Sequence, residues 1–140
     1  MRKFSVLIGI CALVGLALTV VGQEQEVTQA LSPVMKDVGA TLQSLRRNLD
    51  AKSAADVAKD AEKLQTLFTQ AQGIFKANKV GDAAKAAKAN VGLAGDIMKA
   101  AKENNLDAAA EPAGALQKTC KACHDLHREQ LPDKTFKFKP

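Results

Sequence analysis

Beyond residue 30 the apolar side chains return at alternating intervals of four and three. Leu31, Met35, Val38, Leu42, Leu45 and Leu49 form one series, and Val57, Ala61, Leu64, Phe68, Ala71 and Phe75 a second. Ala84, Ala87, Val91, Ala94, Met98 and Ala101 form a third, and Ala113, Leu116, Cys120 and Cys123 a fourth. Each series lays one apolar stripe along a helix, and four such stripes are the seams of a bundle. The residues between agree. Ser32 with Pro33 suits the start of the first helix, and Ser53 with Asp56 has the capping-box spacing for the second. Asn78 to Asp82 carries Gly81 and suits a turn, with Asp82 as the cap of the third helix, and Asn104 with Asn105 breaks the chain before the fourth. Pro112 either starts the fourth helix or kinks it. Links this short make sequence neighbours antiparallel, so the expected fold is all-α, an antiparallel up-down-up-down four-helix bundle.

The two ends lie outside this rhythm. Met1 to Gly22 reads as two basic residues, an apolar run from Phe4 to Val21 and a small residue before Gln23, the pattern of an export signal. The run is also long enough to stay as a membrane anchor if it is not cleaved after Gly22. Cys11 lies early in that run and follows Ile10, where a lipoprotein signal has a small residue, so it reads as one more apolar position. Residues 23–140 then form a single domain with an extended tail at 132–140. Phe136 and Phe138 alternate with lysines in that tail, which reads as an extended terminus laying two rings on the bundle. No other segment has a strand pattern to pair with it.

Composition changes the picture in two ways. The 140 residues are 46% hydrophobic and 25% charged but only 4% aromatic, with neither Trp nor Tyr. A core built so largely of alanine is thin, and a bulky apolar body inserted into it would add stability. Loss of Arg2 and Lys3 with a cleaved signal lowers the formal charge from +5 to +3. That mildly basic surface has no Lys/Arg stripe interleaved with aromatics, so nucleic acid is not an expected partner. No nucleophile stands with a base and no carboxylate pair has a distinctive spacing, so an enzyme is not expected either.

The chemistry lies in Thr119 to Glu129. Cys-Lys-Ala-Cys-His, Cys120 to His124, has the spacing of a c-type haem attachment. On a helix the two sulfurs share one face and reach both vinyl groups of a porphyrin, while His124 offers its imidazole to the iron. An export signal agrees with this, because such haem is attached outside the cytoplasm. Three rivals are weaker. A disulfide between Cys120 and Cys123 closes too small a loop to constrain much. A thioredoxin-like pair belongs to a βαβ context. Zinc held by Cys120, Cys123, His124 and His127 needs a tetrahedron from four positions on one helix.

The other axial position then falls to a donor on another helix or stays open. Met35 and Met98 both lie on seams, and thioether is a standard partner of His in electron-transfer haems. Spacing alone does not choose between them. Gly39, one turn beyond Met35, would let a flat macrocycle approach the backbone, and Lys36 is placed to reach a propionate. His127 shares a helix with His124 and reads as a surface or haem-edge residue.

With these residues in view, the chain resembles the cytochrome c prime superfamily, exported four-helix bundles whose haem motif lies near the end of the last helix. CKACHDLHR matches the family's Cys-x-x-Cys-His followed by Arg four residues later, which places Arg128 near the haem. The resemblance runs from about Leu31 to Arg128. Val34 to Gly39, VMKDVG, is similar to the low-spin branch, in which a Met on the first helix binds the iron, and this implies Met35. Two departures stand out. No basic residue stands just before Met35, and the links at Asp50 to Ser53 and Asn78 to Asp82 are short, so the family's dimer contacts do not transfer and monomer and homodimer stay open.

The expectation is a periplasmic or otherwise exported monohaem cytochrome c, with one covalent haem c per chain, that passes single electrons between redox partner proteins. Lys118 and Lys121 flank the attachment site and would steer an acidic partner. The membrane enters only if the signal is retained. The alternatives are a haem protein that binds nitric oxide or carbon monoxide at an open or displaceable distal site, and a zinc-stapled structural domain without haem.

Overall fold

A computed structural model describes residues 5–139, with side chains from residue 24 onward. The segment read as an export signal, with Cys11, lies outside those described side chains. Among the described residues no helix is long and apolar enough to cross a membrane. The chain is all-α apart from one small hairpin: α1 (Ser5–Asp50), α2 (Ala54–Ala77), α3 (Gly81–Lys102) and α4 (Leu106–His127), then β1 (Arg128–Gln130) and β2 (Phe136–Phe138). Each helix packs on the next in sequence, compatible with a four-helix bundle.

The three links between helices are built alike. Lys52, Lys79 and Asn104 take left-handed backbones with φ of 55°, 60° and 56°. The residue after each sends its amide to the carbonyl five back: Ser53 to Asn48, Val80 to Phe75 and Asn105 to Ala100, all at 2.9 Å. This Schellman closure satisfies carbonyls that a helix end leaves open. Ser53, Val80 and Asn105 then stand as N-caps of the next helix.

Several local expectations change. Ser32 and Pro33 do not start α1, which runs through them. Val27 and Leu31 upstream are buried, at 1% and 7% exposure, so packing holds the helix on the far side of the proline. The Ser32 hydroxyl donates to the Thr28 carbonyl at 2.7 Å. Pro112 neither starts nor ends α4, which begins six residues earlier with the Asn105 side chain accepting from the Ala108 amide at 3.2 Å. Ser53 caps α2 by position only, because its hydroxyl donates to Asp56 at 2.7 Å. Asp82 lies inside the first turn of α3 rather than at its cap.

The stripe on α3 is also rotated from the expected one. Asn90 and Ile97, at 4% and 0% exposure, are buried, while their neighbours Val91 and Met98 are half-buried. Alanines on several faces of this helix left its periodicity to the few larger residues. The tail differs as well. β2 finds its partner in β1, paired antiparallel with Arg128 opposite Phe138 and Gln130 opposite Phe136. Phe138 is buried on the bundle, but Phe136 is 43% exposed, so one ring docks and the other does not.

The core falls into two clusters. One gathers Leu45, Val57, Leu64, Ile97 and Leu116, and the other gathers Val27, Leu31, Phe75, Ala87 and Phe138. The α1 and α4 backbones barely approach each other. The gap between them is where the candidate site lies.

Candidate functional site

A recess of about 530 Å³ opens between α1 and α4, within the range of roughly 300–1,000 Å³ typical of cofactor sites. Leu31, Met35, Val38 and Gly39 of α1 form one wall, with Lys36 at the rim. Ala83, Ala87 and Asn90 of α3 form the floor with Phe68 and Phe75 of α2. Cys120, Cys123 and His124 of α4 face the α1 wall, and the hairpin closes an edge with Arg128, Phe136 and Phe138. Four of the chain's five phenylalanines therefore line this one recess. A chain so poor in aromatic rings has gathered them where a flat apolar body would pack.

Cys120 and Cys123 lie one turn apart on α4, both half-buried and both free thiols. Burial pushes the Cys120 thiol up to about 11, against a hydrogen bond from Asn90 that favours the thiolate, and the nearby Cys123 raises it further. Cys123 is raised too, first by burial and then by the charge of Asp82. Thiols held this way stay protonated at neutral pH, the reverse of what a thioredoxin-like redox pair needs. His124 is pushed the other way: burial and then the Arg128 charge hold its pKa below the ordinary 6.5, against Asp125. Its ring is neutral at physiological pH, with a lone pair ready to bind a metal.

Across the recess Met35 is half-buried and packs in the same cluster as Cys123 and Phe138. Met98 packs in the other cluster and does not line the recess, so the two candidates left open by spacing are separated by position. The place where a Cβ on Gly39 would stand has nothing within 4 Å, leaving the α1 backbone open to close approach there. Lys36 is exposed at the rim.

His127 is not a free surface residue. Its side chain is 11% exposed, stacked on Phe138 at 5.4 Å and 10°. Its Nε2 lies 2.9 Å from an Asp82 carboxylate oxygen and its Nδ1 3.1 Å from the Lys139 carbonyl. The ring thus ties α4, α3 and the tail together, with both nitrogens engaged, while it lines the edge of the recess beside Phe138. Among the described residues no three His, Cys, Asp or Glu side chains converge as metal ligands. Arg128 ends α4 in an extended conformation and lays its guanidinium over the Phe136 ring at 4.3 Å.

No family model, curated protein or solved structure matches this chain. The site must be read from its own residues, and these fit a haem: an apolar recess of suitable volume, a wall open at Gly39, two thiols one turn apart, a neutral imidazole and a facing thioether. Three participants escaped the sequence. Phe138 was placed on the bundle but not in the site. Thr28 accepts the Phe138 amide at 2.9 Å while its hydroxyl donates to the Glu24 carbonyl at 2.8 Å, and nothing in its surroundings marks it. Asn90 carried a signal, a polar residue three positions after Ala87 on an apolar stripe.

Proposed function

We propose that this chain is an exported single-haem cytochrome c that carries electrons one at a time, built as an antiparallel up-down-up-down bundle like the low-spin branch of the cytochrome c prime superfamily. The observation that carries this reading is the convergence of Met35 with Cys120, Cys123 and His124 on one apolar recess lined by four phenylalanines. Haem c, when bound, supplies the one-electron chemistry of its iron. The chain's own groups do the rest. Cys120 and Cys123, free thiols on one helix face, would hold the haem through two thioether links. His124 is kept neutral by burial and Arg128 and offers a nitrogen donor. Met35 offers sulfur from a different helix, and a His/Met pair favours a high potential. Both donors stand on packed helices, so little has to move between oxidation states. Four phenylalanines and the hairpin line the recess, and Arg128 and Lys36 bring positive charge to the rim. Lys118 is exposed beside the motif and suits an acidic partner, while the charge of Lys121 is met locally by Asp125 at 2.6 Å.

The test is an absorption spectrum of the full chain exported in a host that matures c-type haem, taken oxidised, reduced, and reduced under carbon monoxide. The expected result is a low-spin spectrum with a weak sulfur-to-iron band, indifferent to carbon monoxide and lost in Met35→Ala. A high-spin spectrum that shifts under carbon monoxide would refute ligation by Met35 and favour a gas-binding protein. A colourless product would refute haem altogether.

A further inference from the structure

Among the described residues one buried side-chain polar atom has no hydrogen-bond partner, Oδ1 of Asn90. Only two polar residues are buried in the described chain, Thr41 and Asn90. Thr41 is satisfied locally, its hydroxyl donating to the Asp37 carbonyl at 2.7 Å. Asn90 is not. It stands in the middle of α3, where asparagine is a weaker helix former than the alanines around it, and it buries an amide oxygen unpaired in the interior. Packing explains none of this, because an apolar residue of the same shape would remove both penalties.

What Asn90 does touch is the site. Its Nδ2 donates to the Cys120 sulfur at 3.5 Å, across from α3 to α4, and the residue lines the recess. The direction of that bond matters. A thiol both gives and accepts, so either end of the amide would suit it, but a thioether sulfur has no hydrogen and accepts only. An amide facing a thioether must present its N–H, and its oxygen is then turned away, which is the arrangement present here. The unpaired oxygen follows from orienting the donor toward the sulfur.

The geometry points to Asn90 as a positioning residue for the covalent haem: it holds the Cys120 sulfur and sets the positive end of its amide dipole beside the attachment, favouring the electron-richer, reduced state. This rests on the haem reading proposed above and adds to it a third-helix residue that tunes the potential.

The experiment is a redox titration of the full haem-loaded chain as wild type, Asn90→Leu and Asn90→Asp at mildly alkaline pH, with thermal melting of the same samples. Leucine keeps the shape and removes the donor, and aspartate keeps the shape and places negative charge by the sulfur. The midpoint potential is expected to fall in Asn90→Leu and to fall further in Asn90→Asp, while Asn90→Leu melts no lower than wild type. Equal potentials in all three proteins overturn the inference, as does a lowered melting point in Asn90→Leu with an unchanged potential, which marks a packing role. Haem present with unmoved potentials defeats this inference alone, whereas wild type without haem bands defeats the reading of the recess and this inference with it.

Discussion

Replacing Phe138 with alanine should release the C-terminal hairpin from the bundle while leaving the bundle folded. Phe138 is the only buried side chain of the two strands. Its ring is 7% exposed, stacks on His127 at 5.4 Å and meets Phe75 at 6.1 Å with a 41° tilt. Truncating a buried phenylalanine costs about 3–5 kcal/mol. What remains to hold the hairpin is polar: the Phe138 amide to Thr28 at 2.9 Å, the Lys139 amide to the His127 carbonyl at 2.9 Å, and the His127 ring against the Lys139 carbonyl. Each such bond is worth roughly 1 kcal/mol net, and an isolated two-stranded hairpin is marginal in water. Without the ring, the docked state loses about as much as all its polar ties supply.

Amide hydrogen exchange reads this directly. With about 1.4 kcal/mol per factor of ten, opening at the Phe138 and Lys139 amides should become easier by at least a hundredfold. The amides of Leu64 and Ile97, in the other cluster, should keep their protection. Phe136→Ala is the control. That ring is 43% exposed beneath Arg128, and losing it should cost only about 0.5–1 kcal/mol, under a tenfold change. Equal effects of the two substitutions, or loss of protection at Leu64 and Ile97 in Phe138→Ala, would refute the view that the hairpin is a separate unit held by one ring.

Three further outcomes follow from the same contacts. Leu116, with 0% exposure in the centre of α4, should cost about 3–5 kcal/mol as Leu116→Ala in denaturant unfolding; a loss under about 1 kcal/mol would place the core elsewhere. The Asp82 carboxyl is held below its ordinary 3.8 by the hydrogen bond from His127 and then by the Ala83 amide, so its contribution is complete above that ordinary value and disappears as pH falls through the lowered one. Asp82→Asn should therefore melt lower than wild type at neutral pH, with the gap closing on acidification below 3.8; a gap independent of pH would contradict this. In the chain without haem, the Cys120 thiol, pushed up to about 11, should react slowly with iodoacetamide at neutral pH and accelerate toward that value, whereas fast labelling at neutral pH would show an activated thiolate.

The sequence was most legible where a signal is local and repeated. Four apolar stripes gave four helices, and Asn104 with Asn105 marked a true break, because period and break are properties of short windows. Errors arose where packing at a distance overrode a local signal. Ser32 and Pro33 look like a helix start, yet the burial of Val27 and Leu31 draws α1 through them. On α3, Ala83, Ala84, Ala86, Ala87 and Ala89 are apolar on every side, so the stripe could be read one residue off and Asn90 overlooked. Arg128 to Gln130 has no alternation and no β-branched residue, so nothing in its own composition announced a strand. The Cys-x-x-Cys-His spacing is legible within one short window, whereas the placing of Met35 on the same recess is not, since no window of sequence joins residue 35 to residue 120.

The alanine-rich core and the recess are one feature. On α3 the small residues Ala83 and Ala87 keep the floor of the recess low, and larger side chains there would fill the space that now faces Cys120 and Cys123. The same economy separates the core into two clusters and keeps α1 and α4 from closing on each other. The four described phenylalanines all line the recess, three of them as buried members of the two clusters. A flat apolar body anchored there would touch both clusters and both separated helices at once, adding the contacts that alanine gives up. On this reading the group that carries the electron also completes the core, so attachment at Cys120 and Cys123 should raise the stability of the whole bundle and not of α4 alone.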